Sequence, residues 1–180
     1  MNKIKKNIYL IGFPTCGKTT IGRILAKKLK KNFIDTDEKI EKTEKNKINE
    51  IINKKGLRYF RNREKEILKR LKNLKNSVIS LGGGITLSKN NGYFLTKTGI
   101  CIFLDAPFKL LKERILKNYF NRPILYSKSE KEVIKKAKKL YLRRISNYKN
   151  ANIIFKTKDK NKKDIVNELI KILKNYAIND

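Results

Sequence analysis

The segment Gly12-Phe13-Pro14-Thr15-Cys16-Gly17-Lys18-Thr19 constrains this 180-residue chain more than any other. It follows the apolar run Ile8-Tyr9-Leu10-Ile11 and opens a helix-like stretch from Thr20 to Leu29. Strand, glycine-bounded loop and helix, in that order, is the context in which Gly-x-x-x-x-Gly-Lys-Thr forms a phosphate-binding P-loop. Backbone N–H groups in such a loop and in the first helical turn have no partner within the helix and point at a bound polyphosphate. Gly12 and Gly17 permit torsions that a Cβ obstructs. Lys18 brings a point charge to the β- and γ-phosphates, and the Thr19 hydroxyl is placed to ligate Mg²⁺.

The rest of the chain alternates apolar runs with helical patterns. Asn32-Phe33-Ile34-Asp35 reads as a second, short strand and Ser77-Val78-Ile79-Ser80-Leu81 as a third. Ile100 to Leu104 and Asn152 to Phe155 read as the fourth and fifth. Between the second and third, the spacing predicts a polar helical region from Glu38 to about Lys55 and a break near Gly56. A longer helix follows from Leu57 to Leu74, with Phe60, Ile67, Leu68, Leu71 and Leu74 recurring at helical intervals. Asp105-Ala106-Pro107 sets a proline near the start of a helix reaching about Lys117, and a mobile loop is expected from Asn118 to Ser129. Further helices are expected from Glu130 to about Ser146 and from Lys162 to Tyr176.

Strands spaced by helices make parallel βαβ units whose sheet is covered on both faces. The expected fold is α/β: a three-layer αβα arrangement with a five-stranded parallel sheet, of the P-loop kinase type and similar to nucleoside monophosphate kinases. No repeat or proline-rich linker divides residues 1–180, so one domain is expected. Ligands gather beyond the carboxyl ends of the strands in such sheets. The P-loop, Asp35, Asp37 and Gly82-Gly83-Gly84 all follow strand ends and should share one mouth.

Charge raises a different class of partner. Lys and Arg number 46 against 16 Asp and Glu, a formal charge of +30. Such an excess suggests nucleic acid or an anionic membrane. Here the lysines are scattered, with no basic arm and no basic stripe interleaved with aromatics for base stacking. The charge reads as a solvated surface whose positive field attracts anionic substrates, with no specific nucleic-acid partner. No apolar stretch is long enough to span a bilayer, and Met1 to Lys6 is polar, so no membrane and a cytoplasmic location are expected. The chain has no histidine, which removes the commonest general base and any His-ligated zinc. Cys16 and Cys101 have neither metal-site nor disulfide-framework spacing.

Asp35-Thr36-Asp37 puts two carboxylates on one extended segment, where residues two apart share a face. Aspartates at that place also read as a helix N-cap. Arg61, within Gly56-Leu57-Arg58-Tyr59-Phe60-Arg61, has Glu64 three residues on to hold its guanidinium. Gly82-Gly83-Gly84 after a strand lets a ligand touch bare backbone N–H groups. Together with Arg122-Pro123 and Arg144-Ile145-Ser146-Asn147-Tyr148, these segments run in the order found in shikimate kinases, which the chain resembles from Ile8 to its last helix.

The resemblance implies ATP-dependent phosphorylation of the shikimate 3-hydroxyl, a step toward chorismate and the aromatic amino acids. It implies ATP on the loop from Thr15 through Cys16, Gly17, Lys18, Thr19 and Thr20, with Thr19 on Mg²⁺ and Asp35 supporting the ion through water. Asp37 would hold the ring hydroxyls and take or orient the reacting proton. Arg61 and Arg144 would pair with the shikimate carboxylate, which suits the guanidinium's bidentate geometry. Gly83 would donate its N–H to the substrate. Arg122, on a lid at about 118–129, would close over the phosphates, and Arg114 would lie toward the adenine. The substrate-binding helical region would span about 38–64, and the family's usual form is a monomer. The chain departs from the family at Thr15, where a loop glycine is usual, in a lid about one residue longer, and in Arg143, which competes with Arg144. Competing readings are a gluconate-kinase-like or nucleoside-monophosphate-kinase-like enzyme, a basic nucleic-acid-binding P-loop protein, and a non-catalytic regulator suggested by Thr15.

Overall fold

The structure, a computed structural model, describes residues 6–71, 73–85, 89–121, 124–158 and 160–178. Its first strand, β1 (Asn7–Ile11), is buried at all five positions. A strand covered on both faces carries such an unbroken apolar run, and β1 accordingly takes the centre of the sheet. Around it lie β2 (Asn32–Asp35), β3 (Ser77–Ser80), β4 (Gly99–Asp105) and β5 (Ile153–Lys156), in the order β2-β3-β1-β4-β5 with every pairing parallel.

Helices cover this sheet. They are α1 (Lys18–Leu29), α2 (Thr36–Glu44), α3 (Ile48–Leu71), α4 (Lys89–Thr98), α5 (Phe108–Leu116), α6 (Glu130–Tyr148) and α7 (Lys162–Ile178). α1 packs on β3 and against α7, α4 on β4, and α5 against α6. Ile8, Leu10, Leu25, Val78, Ile102, Val166 and Leu169 are fully buried in the resulting core. Each such side chain contributes roughly 1.5–3 kcal/mol relative to exposure. The three-layer αβα fold with five parallel strands is the one expected. Among the described residues no helix is long and apolar enough to cross a membrane.

Register, rather than composition, assembles the mouth. Leu10 pairs with Ser80, and Ser80 with Asp35, so β1, β2 and β3 finish at one level. The chain therefore leaves them side by side as the P-loop, as Thr36-Asp37 and as Gly82–Gly84. Thr36, fully buried, fixes two of these exits to each other. Its hydroxyl accepts from Gly82 N at 2.8 Å and lies 3.4 Å from the Ser80 carbonyl oxygen.

The elements differ from expectation at three places. The polar stretch after β2 is two helices, since Lys45 takes a left-handed φ of 53° and ends α2 before α3 starts at Ile48. The break at Gly56 is a kink inside α3, with φ 82° and ψ 161°. α4 was not expected at all. Its Asn91, Gly92, Thr96 and Thr98 are weak helix formers, and packing of the fully buried Leu95 against the sheet overrides that propensity.

Candidate active site

The P-loop takes the conformation its glycines predict, with Gly12 at φ 146° and Gly17 at φ 104°. Gly17 is the N-cap of α1 and brings no capping side chain, so the helix's first N–H groups remain open to an anion. Lys18 Nζ folds back on the loop, donating to the carbonyls of Gly12 at 2.9 Å and Phe13 at 3.1 Å. Thr20 is exposed beside it and Cys16 is buried beneath. Arg114 on α5 reaches across to donate to the Thr15 carbonyl at 3.0 Å.

Thr15 is the anomaly of this loop. Its φ of 69° lies in the left-handed region, where a β-branched residue is an outlier. Its hydroxyl oxygen is buried and meets no hydrogen-bond partner among the described residues. Both features oppose threonine and suit glycine. Left-handed backbone costs roughly 1–2 kcal/mol, against which glycine gives back about 0.5–1 kcal/mol of unfolded-chain entropy. Thr15→Gly should therefore stabilise the protein by about 1 kcal/mol, read as a thermal midpoint some 2–4 °C higher. A lower midpoint would show that the threonine is held without strain.

Asp35 and Asp37 do not share an extended segment, which corrects the reading from sequence. Asp35 ends β2 and caps α2, accepting from the N–H of Asp37 at 3.0 Å and of Glu38 at 3.4 Å. Its other carboxylate oxygen accepts from the Thr19 hydroxyl at 2.7 Å. Asp37 lies in the first turn of α2. The N-cap reading holds for Asp35, whose carboxylate also reaches the P-loop at Thr19. The pair Thr19 and Asp35 offers hard oxygen donors of the kind that suit Mg²⁺, an ion commonly held by one or two protein groups plus phosphates. The hydroxyl's proton is committed to Asp35, which leaves its lone pairs free for a cation.

Two cavities adjoin at Asp37. One, about 280 Å³, is lined by Pro14, Thr15 and Gly17 to Thr20 with Asp35 and Asp37. The other, about 500 Å³, is lined by Asp37, Phe60, Arg61, Glu64, Gly84 and Arg144 among others. Pro14, Asp37 and Gly83 line both. The triple glycine is where the polar side chains press on backbone. A Cβ at Gly83 would lie 2.7 Å from Arg144 Nη1, and one at Gly84 would overlap Arg61 Nη1. Any larger residue there would push the guanidiniums off the cavity floor.

Arg61 is paired with Glu64, and Glu64 is 3% exposed. Burial pushes the Glu64 carboxyl above its usual range, while Arg61 and then Arg144 pull against that. Arg144, also 3% exposed, is a buried cation whose Nε meets no acceptor among the described residues. An orphaned buried guanidinium N–H is costly unless an anion comes to it. Arg143 next to it is exposed and lines neither cavity. Tyr148, one turn after Arg144, donates to the Gly83 carbonyl at 3.2 Å, and burial pushes its hydroxyl up to about 12.

The structure thus brings Asp37, Arg61, Gly83 and Arg144 to one cavity and Thr15, Gly17, Lys18, Thr19, Thr20 and Asp35 to its neighbour. Arg122 and Pro123 lie outside the described residues. Two residues escaped the sequence reading. Thr36 gave no local signal, because its partners are on β3. Pro14, which lines both cavities, was legible only as part of the loop.

Sheet order, P-loop and paired cavities define a small α/β protein of the P-loop kinase class. The family model for shikimate kinase matches residues 14–174. A shikimate kinase from Persephonella marina is 40% identical over 165 residues, 92% of this chain and 97% of that protein. A shikimate kinase from Acinetobacter baumannii, solved in complex with shikimate, superposes with a TM-score of 0.89 at 31% identity, over 97% of this chain and 96% of that one. The shikimate kinase structure from Aquifex aeolicus gives 0.82 at 36% identity, over 97% and 99%. The chain belongs to the shikimate kinase family.

Proposed function

We propose that this protein transfers the γ-phosphoryl group of ATP to the 3-hydroxyl of shikimate, giving ADP and shikimate 3-phosphate. The observation that carries this reading is the junction at Asp37 between a phosphate-loop cavity and a cavity bearing half-buried Arg61 and buried Arg144. Two guanidiniums at the floor of the second cavity call for a carboxylate on the acceptor. Arg144's Nε, which meets no acceptor among the described residues, gives that carboxylate a donor.

In this reading ATP lies with its phosphates over Thr15 to Thr20, and Lys18 exchanges loop carbonyls for phosphate oxygens. Thr19, with its proton held by Asp35, would ligate Mg²⁺, and Asp35 would support the ion through water. When bound, the ion neutralises charge on the β- and γ-oxygens. Gly83 N–H and Asp37 hold the ring. The 3-oxygen forms the new bond to phosphorus as the bond to the β-phosphate oxygen breaks, and Asp37 takes or orients the hydroxyl proton. Positioning and electrostatics dominate such transfers, so a chain without histidine lacks nothing the step needs. By resemblance the segment at about 118–129 serves as the lid, and Arg122, outside the described residues, has the task of stabilising the phosphates there and keeping water from competing as acceptor. The enzyme works as a cytoplasmic monomer, and its single domain carries the acceptor on the helices at about 38–64.

The test is ADP release with ATP and Mg²⁺ in the presence and absence of shikimate. Release only with shikimate supports the proposal; equal release without it, or gluconate serving as well as shikimate, refutes it. The two neighbouring arginines provide a sharper check. Arg144→Ala should raise KM for shikimate by about 10- to 100-fold, the loss of one partner of a buried charge pair. Arg143→Ala, on the exposed side of α6, should leave KM within about twofold, surface changes being small. The reverse order in steady-state kinetics would exchange their roles.

A further inference from the structure

The helical hairpin of α2 and α3 carries Asp37 at one end and Arg61 in the middle, and a single carboxylate that does not line the cavity joins its parts. Glu44, the last residue of α2, has a side chain only 6% exposed. Its Oε2 accepts from Lys55 Nζ at 2.8 Å, and its Oε1 pairs with Arg63 Nε at 2.7 Å. The Tyr59 hydroxyl lies 3.0 Å from each carboxylate oxygen. Arg63 Nη2 in turn donates to that hydroxyl at 2.9 Å, and both Lys55 and Arg63 stack over the Tyr59 ring.

These partners flank the kink. Lys55 immediately precedes Gly56, while Tyr59 and Arg63 follow it. A Cβ at Gly56 would meet nothing within 4 Å among the described residues, so no neighbour packs against the bend at Gly56 itself. Tyr59 and Arg63, four residues apart, lie on one helical face, and Arg61 lies two residues from each, on the opposite face. One face of this segment grips Glu44 and the other presents Arg61 to the acceptor cavity.

We infer that Glu44 is a positioning residue: by holding Lys55 before the Gly56 kink and Tyr59 and Arg63 after it, it fixes the angle at which Arg61 faces Asp37. α2 is a nine-residue rod with Asp37 at its start and Glu44 at its end. Distance between the acceptor's carboxylate clamp and its proton-handling group is thus set from outside the cavity. The inference rests on the acceptor reading given above.

The experiment compares wild type, Glu44→Ala, Gly56→Ala and the double variant. Glu44→Ala should raise KM for shikimate about tenfold or more, since a misplacement of about 1 Å costs up to about 10²-fold, with KM for ATP within about twofold. Gly56→Ala should show the same split, and the two effects should not add, because both act through one bend. Equal rises in both KM values, additive effects, or a lower thermal midpoint with KM for shikimate unchanged would overturn the inference. Should Glu44→Ala fail to fold, Glu44→Gln keeps an acceptor for Tyr59 and should show a smaller split of the same sign; no split overturns the inference. If wild type shows no shikimate-dependent turnover, the acceptor reading fails by itself. Amide exchange then judges the strut: residues 57–64 should exchange faster in Glu44→Gln with β1 unchanged, and unchanged exchange at 57–64 would dispose of it.

Discussion

Asp37→Asn should lower kcat with shikimate by about 10²–10⁴-fold, the range typical of losing a positioned acid–base group. Asparagine keeps the size and a carbonyl oxygen, so the first turn of α2 and the cap that Asp35 provides should persist. KM for ATP should therefore change little, because the P-loop, Lys18 and Thr19 are untouched. The loss should appear in kcat more than in KM for shikimate, since the side chain acts on the hydroxyl as it reacts. Retention of most of the wild-type kcat would clear Asp37 of the proton and leave it a simple ring contact.

Lys18→Ala should lower kcat by about 10²–10³-fold, comparable to removing one preorganised donor from a developing negative charge. The lysine has a second duty in this structure, since its ammonium holds the carbonyls of Gly12 and Phe13 together. A modest fall in thermal midpoint should accompany the kinetic loss. Lys18→Arg should not restore activity, because a planar fork cannot sit where a compact ammonium meets two carbonyls of one tight loop. Nearly normal kcat in Lys18→Ala, measured at saturating ATP and shikimate, would remove Lys18 from the phosphate site.

Local signals carried most of the fold. β1 and the P-loop are read from a contiguous stretch whose chemistry is self-contained, and β3 and β4 from apolar runs that only a covered sheet accommodates. What failed depended on partners remote in the chain. α4 is a helix because Leu95 packs on the sheet and despite its asparagines, glycine and threonines. The placement of Asp37 turned on whether β2 continued past Asp35. Thr36 decides that by bonding across to β3, which no pattern within residues 32–38 reveals.

The site was legible to a similar depth. Arg144 and Tyr148 stand four apart, so helical period alone puts both on one face and Arg143 on another, as the burial of α6 bears out. Glu64 three residues after Arg61 likewise predicts their pairing. The adjacency of the two cavities was not legible, because it follows from the register that levels β1, β2 and β3. Nor was the strain at Thr15, where the sequence shows only a departure from a family habit and the backbone shows its cost.

The most direct measurement is a crystal structure with shikimate and a non-hydrolysable ATP analogue bound together. The shikimate carboxylate should lie within about 3 Å of the guanidiniums of Arg61 and Arg144, and the 3-hydroxyl beside Asp37, facing the γ-phosphate on Lys18. A ring bound with its carboxylate toward the P-loop, or held away from Arg144, would contradict this arrangement.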